Sequence, residues 1–546
     1  MRNGFKTGLA GLVACVALMA CGQAPPTATQ PTSGLAQPTT GVSATVAATA
    51  PAAEEPVELT FWTTPNNPEG GSPPADWAVY TTLREKHNID LKLTLLPLGA
   101  DGETKMNAAA ASNELPDLFG MTRNQYYQYL ELGMLAPVDD LLPLMPERAK
   151  ERYSDPSRTK LVSADGRMYA FQEPPLPPNP KRSGLAIRQD WLDKLGLKAP
   201  TTLEEFLEVA KAFTEQDPDG NGKNDTYGFG AYLSATAANP TLGPQFDFIY
   251  GAYGLSGAWD FRNPAAFGAN VKNPDYQQAT AFIKQLVDAK VIDPDWPTMK
   301  VDDFRSRWKQ GRYGMFFEDF CAMICKTNYQ DFDTNNPSGR LVFIDPPKGP
   351  KGDSAAGTFV SVGSVLGVSK RAIENGKGPA IARFLEWADS EEGYYLIGFG
   401  QEGVNYKIDT SGMIVTEGVP APHDVKEQQP ILQIKALVYN GSDQELSARY
   451  PAFQTSDGRT IAPLEYVKMS TQMPWLDATP AALIKPAATQ ADIDRYIQEA
   501  LIQFILGNQP LDDATWSAFV QGLDSVGFGA WEASAKQTLQ EAGFVE

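Results

Sequence analysis

From Val57 onward, short apolar runs alternate with amphipathic stretches. Val57-Glu58-Leu59-Thr60-Phe61-Trp62 has the period of a half-buried strand, and residues 76–86 carry the 3.6-residue period of a helix. Residues 91–96 predict a second strand, 102–113 a helix, 117–121 a strand and 124–132 another helix. Such alternation argues for a parallel α/β sheet, in which ligands gather beyond the carboxyl ends of the strands. Trp62, Thr63 and Asp117 are therefore expected near a site, each at a strand exit, although Trp62 reads also as a core aromatic. After a Pro-rich break at 174–180 the pattern resumes. It gives a strand at 185–188, a helix at 189–195 that ends at Gly196, and a capping-box helix start at Thr201-Thr202-Leu203-Glu204-Glu205. Further helices are predicted at 274–289, 301–310, 378–390 and 490–507, and no internal repeat recurs at a fixed period.

The first 56 residues follow a different logic. Arg2 and Lys6 make a short positive region, and residues 8–20 are apolar but too short to span a bilayer, which takes about 20 residues. This is the pattern of a signal peptide, here 1–20. Leu18-Met19-Ala20-Cys21 resembles a bacterial lipobox, and that resemblance implies cleavage before Cys21 and a lipid (palmitate) on its thiol. Residues 22–53 carry no charge and consist largely of Pro, Thr, Ala, Ser, Gly and Gln. They cannot bury enough apolar surface to offset their ordering entropy, so 21–56 reads as a tether with a reach on the order of 30 Å. The body is expected outside the cytoplasm, anchored to the outer face of the cell membrane without crossing it.

Composition narrows the function classes. The chain has 546 residues, 42% hydrophobic and 21% charged, a balance that suits two or more ordinary globular lobes. With 46 basic and 66 acidic residues the formal charge is −20, and no basic run exceeds a dipeptide. Nucleic acid, which needs clustered Lys and Arg, is a poor partner. The two histidines, His87 and His423, cannot build a zinc cluster with nearby cysteines. Cys321 and Cys325 form an isolated pair, either a disulfide across a turn or two buried thiols, since on a continuous helix an i,i+4 pair bridges poorly.

Several blocks, in order, resemble the family 1 extracellular solute-binding proteins, especially the alginate- and oligosaccharide-binding lipoproteins. They are Glu114-Leu115-Pro116-Asp117, Asp165-Gly166-Arg167-Met168-Tyr169-Ala170, Ile187-Arg188-Gln189-Asp190-Trp191-Leu192, Gly311-Arg312-Tyr313-Gly314-Met315 and Phe399-Gly400-Gln401-Glu402-Gly403-Val404-Asn405-Tyr406. The resemblance implies a two-lobed, type II periplasmic-binding-protein fold with a hinge and an interlobe cleft. The first lobe is expected at 57–180 with a return at 312–365, and the second at 181–311 and 366–546. It further implies a monomer that captures a carbohydrate and delivers it to the permease subunits of an ABC importer. A surface sensor of the same fold is the alternative, and a carbohydrate-active enzyme a more distant one. No GxSxG, HExxH, P-loop or dinucleotide glycine motif is present.

Two sets of site residues follow. Asp217-Pro218-Asp219-Gly220-Asn221-Gly222-Lys223-Asn224-Asp225 has oxygen-bearing side chains at loop positions 1, 3, 5 and 9, a backbone carbonyl from Lys223 at position 7 and Gly222 at the turn. That is the donor pattern of a calcium loop, or else a plain polar turn. Position 12, where a bidentate Glu is expected, is Gly228, and Thr226 stands where the alginate-binding relatives carry an acid. For the sugar, the resemblance implicates Trp62 and Asp117 from the first lobe, with Phe317, Glu318, Glu402, Asn405 and Tyr406. Tyr253 and Trp259 lie in an aromatic-rich segment with cleft-lining potential.

Overall fold

The computed structural model describes residues 55–154, 159–172, 181–234, 241–360 and 365–546. The signal segment, Cys21, the tether through residue 54 and the Pro-rich break at 174–180 lie outside them. Nine strands build two main sheets: β1 (Val57–Thr63), β2 (Ile89–Leu95), β3 (Leu118–Met121), β4 (Phe171–Gln172), β5 (Ser183–Arg188), β6 (Tyr227–Gly230), β7 (Tyr313–Asp319), β8 (Leu341–Ile344) and β9 (Val365–Val368). The first sheet runs β2-β1-β3-β9-β4 and the second β8-β5-β7-β6. In the first, β1 is parallel to β2 and β3, as the alternation of elements requires, whereas β9 is antiparallel to its neighbours.

Alternation along β1 decides the packing of the first sheet. Leu59 and Phe61 face one core with Leu83, Phe384 and Leu385, while Trp62 packs on the opposite face with Leu96, Met106 and Ala109. Helices Ala78–His87 and Gly378–Asp389 contribute to the first face and Ala100–Ala111 to the second. The second sheet is buried among Trp191, Phe206, Phe213, Trp308 and Phe332, and the helices Gln490–Ile505, Asp513–Gly522 and Phe528–Glu541 extend the same core. Helix Leu203–Glu215 starts as its sequence requires. Thr202 accepts from the Glu205 amide, and the Glu205 carboxylate takes the amide and hydroxyl of Thr201.

Two expectations change. The segment expected to return to the first lobe at 312 enters the second sheet instead, because β7 pairs with β5 and β6. All but the last residue of β7 is buried, Glu318 included, so its sequence has no apolar–polar alternation to reveal which sheet it joins. The chain rejoins the first sheet at Val365, and residues 366–438 supply much of the first core before Tyr439 passes to the second. The second difference is at Cys321 and Cys325, which are joined as a disulfide. The helix there is not continuous. Phe320–Ile324 stops at Cys325, which takes an extended conformation (φ −63°, ψ 140°) before Lys326–Asn335 begins.

Asp117 is also not at a strand exit. It precedes β3, level with Thr60 in the middle of β1, and is 3% exposed. Its Oδ2 accepts from the Thr60 amide (2.8 Å), the Thr60 hydroxyl (2.7 Å) and Lys377 Nζ (2.8 Å). The carboxylate joins β1, β3 and the N-terminus of helix Gly378–Asp389. Asp117→Ala would leave a largely buried ammonium and a strand amide without their acceptor. We expect it to lower unfolding stability by about 2–3 kcal/mol in denaturant titration. Solute affinity of the folded protein should be unchanged, and the opposite pattern would return Asp117 to the binding site.

Candidate functional site

Parallel strands of each sheet end at one side. In the first sheet that side is marked by Thr63, Leu95 and Met121, and in the second by Gly230 and Asp319, with the start of antiparallel β5 alongside, since Ser183 pairs with Asp319. The loop leaving β1 is held by Gln433, whose side chain is completely buried. Its Oε1 accepts from the Asn67 amide (3.0 Å), and its Nε2 donates to the carbonyls of Asn67 (2.9 Å) and Gly71 (2.6 Å). Asn66 closes the clamp by accepting from the Ala436 amide (3.0 Å). The chain after Gln433 therefore stands at the exit of β1.

That chain brings Lys435 to the site. Lys435 is half-buried and makes no hydrogen bond or ion pair among the described residues. Burial, then the charge of Arg449, pushes its ammonium down to about 8. Arg449 is itself neutralised by buried Glu445, whose other oxygen takes the amides of Asn440 (2.7 Å) and Gly441 (2.9 Å). The Tyr439 hydroxyl is buried with no hydrogen-bond partner among the described residues. From the second sheet, Arg182 donates to the Tyr450 hydroxyl (3.3 Å), lies 5.1 Å over the Phe320 ring and stands 3.6 Å from Asp319. Phe320 and Tyr450 meet edge to face at 4.9 Å. The arrangement offers two cations, the Tyr450 hydroxyl proton and the half-buried Tyr450 ring, backed by fully buried Phe320, a set suited to holding a polar, ring-shaped solute with an anionic or strongly accepting edge.

The residues singled out by sequence are scattered by comparison. Trp62 is half-buried under Lys105, whose ammonium lies 5.1 Å over its ring. Tyr253 packs against the second core, and Trp259 is within it, stacked on Phe267 (5.4 Å) and edge-on to Trp531 (4.7 Å). Phe317 is buried edge to face with Trp475 (6.4 Å). Glu318, also buried, is closed by a two-pronged pair with Arg305 (2.9 and 3.1 Å). Asn405 is an internal brace, donating to the Ala421 carbonyl (2.8 Å), and Tyr406 is buried against Tyr395 (5.5 Å). Glu402 is exposed and, with Tyr395 and helix Ala78–His87, lines a groove of about 510 Å³ on the first half rather than on the second. The sequence signal for the true meeting point was the basic dipeptide Lys181-Arg182 directly after the Pro-rich break.

The 217–225 loop folds inward. Asp217, with positive φ (47°), gathers the amides of Gly220, Asn221 and Gly222 on its carboxylate. The Asn221 amide nitrogen donates to Asp219 (2.7 Å) and Asp225 (3.1 Å). A hydrogen bond from Asp219, then the backbone amides, holds the Asp217 carboxyl below the usual range, while burial and Asp217 raise that of Asp219. The donor set, all oxygen, suits a hard cation in kind. Its centre is bridged here by the Asn221 nitrogen, and among the described residues no three His, Cys, Asp or Glu side chains converge as a metal site. Gly228 cannot be the missing Glu, because a Cβ there would come within 2.2 Å of the Ala210 carbonyl. Thr226 turns inward to the Phe213 carbonyl (2.9 Å).

Residues 74–395 match the model of the bacterial extracellular solute-binding proteins. The polygalacturonan/rhamnogalacturonan-binding protein YtcQ of Bacillus subtilis (strain 168) is 29% identical over 345 residues, 61% of this chain and 64% of the relative. The chain thus spans somewhat less than two thirds of that relative's length. FusA of S. pneumoniae, solved in complex with kestose, superposes with a TM-score of 0.63 at 18% identity over 89% of this chain and 99% of FusA. The alginate-binding protein AlgQ2, solved without calcium ion, gives 0.61 at 20% identity over 89% and 98%. At those identities the likeness is one of fold, the two-lobed fold of solute-binding proteins. The chain belongs to the bacterial extracellular solute-binding protein family.

Proposed function

We propose that this protein captures a carbohydrate between its two sheet-bearing halves and delivers it to the permease subunits of an ABC importer, with no reaction of its own. The observation that carries this reading is the meeting of both sheets' strand ends at one polar, aromatic site, fed by Lys435 from one half and Arg182 from the other. A solute that touches both halves binds the closed arrangement better and shifts the population toward it. The names of YtcQ and of the FusA complex, both sugar-related, support the carbohydrate class. A thermal-shift screen against mono- and oligosaccharides tests it. A bound sugar at a hundredfold excess over its Kd should raise stability by about 2.7 kcal/mol, and the absence of a shift across the panel would overturn the reading.

The body works from a lipid anchor on Cys21, on the outer face of the cell membrane. The support is the Leu18-Met19-Ala20-Cys21 motif and the uncharged tether; among the described residues no helix is long and apolar enough to cross a membrane. Cys21→Ala should move the protein from the membrane fraction to the medium or leave it unprocessed, as fractionation and mass measurement would read. A processed Cys21→Ala protein retained on the membrane would contradict the anchor.

The 217–225 loop is a structural calcium site in this reading, held by the side chains of Asp217, Asp219, Asn221 and Asp225 and the carbonyl of Lys223. The ion would supply the positive charge that the loop's three carboxylates, bridged here by the Asn221 nitrogen, lack. Chelator should lower the melting temperature, and calcium should restore it better than magnesium, whose strict octahedron suits a many-oxygen loop poorly. An Asp219→Ala protein that melts like wild type, with both indifferent to chelator, would leave a polar turn.

A further inference from the structure

Lys435 is anomalous in a protein of formal charge −20. A half-buried ammonium without a counter-ion loses solvation and gains nothing in exchange. The anions around it are already committed. Glu445 is saturated by Arg449 and two backbone amides. One oxygen of Asp319 caps helix Phe320–Ile324 through the amides of Cys321 (2.8 Å) and Ala322 (3.3 Å), and its other oxygen is only 3.6 Å from Arg182. Arg182 donates to the oxygen of Tyr450, which leaves the Tyr450 proton free to be donated onward. The Tyr439 hydroxyl is buried without a partner among the described residues, an arrangement that costs stability unless something else completes it.

We propose that Lys435 and Arg182, with the hydroxyls of Tyr439 and Tyr450, form a receptor for the carboxylate of an acidic sugar, so that the solute is a uronate-bearing oligosaccharide. This rests on the carbohydrate reading above. Lys435 has no counter-ion among the described residues, and Arg182 shares its charge with Asp319 only at 3.6 Å, so the missing complement is an acceptor with negative charge. A guanidinium matches a carboxylate in shape, and an ammonium adds a second charge from the other half of the molecule. The half-buried ring of Tyr450, backed by fully buried Phe320, supplies an apolar face beside it for a pyranose. The nearest buried acid of the second sheet, Glu318, is neutralised by Arg305 and does not oppose the charge. The local cations also overcome the repulsion that an acidic solute meets from the protein as a whole.

Titration calorimetry with the trimers of galacturonate and of mannuronate, each beside its methyl ester, and with the neutral trisaccharides kestose and maltotriose separates the possibilities. We expect at least one acid trimer to bind, and its ester to bind at least about tenfold more weakly. Lys435→Met and Arg182→Gln should each weaken the acid about tenfold or more and the ester by clearly less, so that the preference for acid over ester shrinks. Lys435→Met should melt no lower than wild type without solute, because an unpaired charge has been removed, whereas a lysine kept for folding would lose stability. Equal binding of acid and ester, or an acid affinity indifferent to Lys435→Met, overturns the proposal. Neutral trisaccharides bound with both acids ignored overturns it while the carbohydrate reading stands. If no sugar of either class binds, both fall.

Discussion

A single buried amide organises the side of this molecule at which β1 ends. Gln433 reaches a segment 366 positions earlier in the chain and uses both its oxygen and its nitrogen there. Without it, the Asn67 amide and the Gly71 carbonyl would have no partner among the described residues, and the chain from Ile434 to Tyr439 would be tied to the loop leaving β1 only through Asn66. A buried side-chain amide that satisfies donor and acceptor together is costly to replace, since any substitute leaves at least one backbone group unpaired. The position of Lys435, two residues on, follows from that clamp, and so does the passage of the chain between the two cores at Tyr439.

The sequence made the local elements legible wherever one face of an element is buried and the other is not. The strand at Val57–Thr63 and helices such as Leu203–Glu215 emerged from periodicity and capping residues, with bounds shifted by a residue or two. Sheet membership was not legible for β7, because a strand buried on both faces carries no alternation to align it. The Cys321–Cys325 bridge depended on a helix break at Cys325, and neither glycine nor proline marks that break. The solute-site residues fared worst. Asp117, Glu318, Asn405 and Tyr406 have the chemistry of ligand contacts, but each is used internally, for an ion pair, a hydrogen bond or a ring stack. A polar residue's type is visible in sequence; whether the fold has already used its hydrogen-bonding capacity is not.

That distinction also explains why the informative residues are the unsatisfied ones. Native structures pair nearly all buried polar groups, and the acids of this protein mostly obey. Asp389 meets Arg152, Asp293 meets Arg307 and Tyr313, and Glu318 meets Arg305. Other buried groups among the described residues also lack a partner, the hydroxyls of Tyr126 and Tyr394 and one oxygen of Asp247 among them; Lys435 without a counter-ion and Tyr439 without an acceptor differ in lying four residues apart on the chain that Gln433 fixes at the exit of β1.

Placing the two cations on different halves has an energetic consequence for closure. A ligand contact made equally in open and closed states shifts nothing, however strong it is. Moving a two-state equilibrium from 1:99 to 99:1 takes about 5.5 kcal/mol of differential binding, and a hydrogen bond to a charged group contributes about 1.5–3 kcal/mol. Contacts to one half alone, such as a sugar resting on the Tyr450 ring, are present in both states and cancel. A carboxylate that reaches Arg182 from the second half and Lys435 from the first makes its second charged contact only when the halves approach. That one contact covers part of the required difference, and contacts of the rest of the solute with the first half must supply the remainder. In the proposed reading, the charge arrangement that selects the solute is thereby also one that favours closure around it.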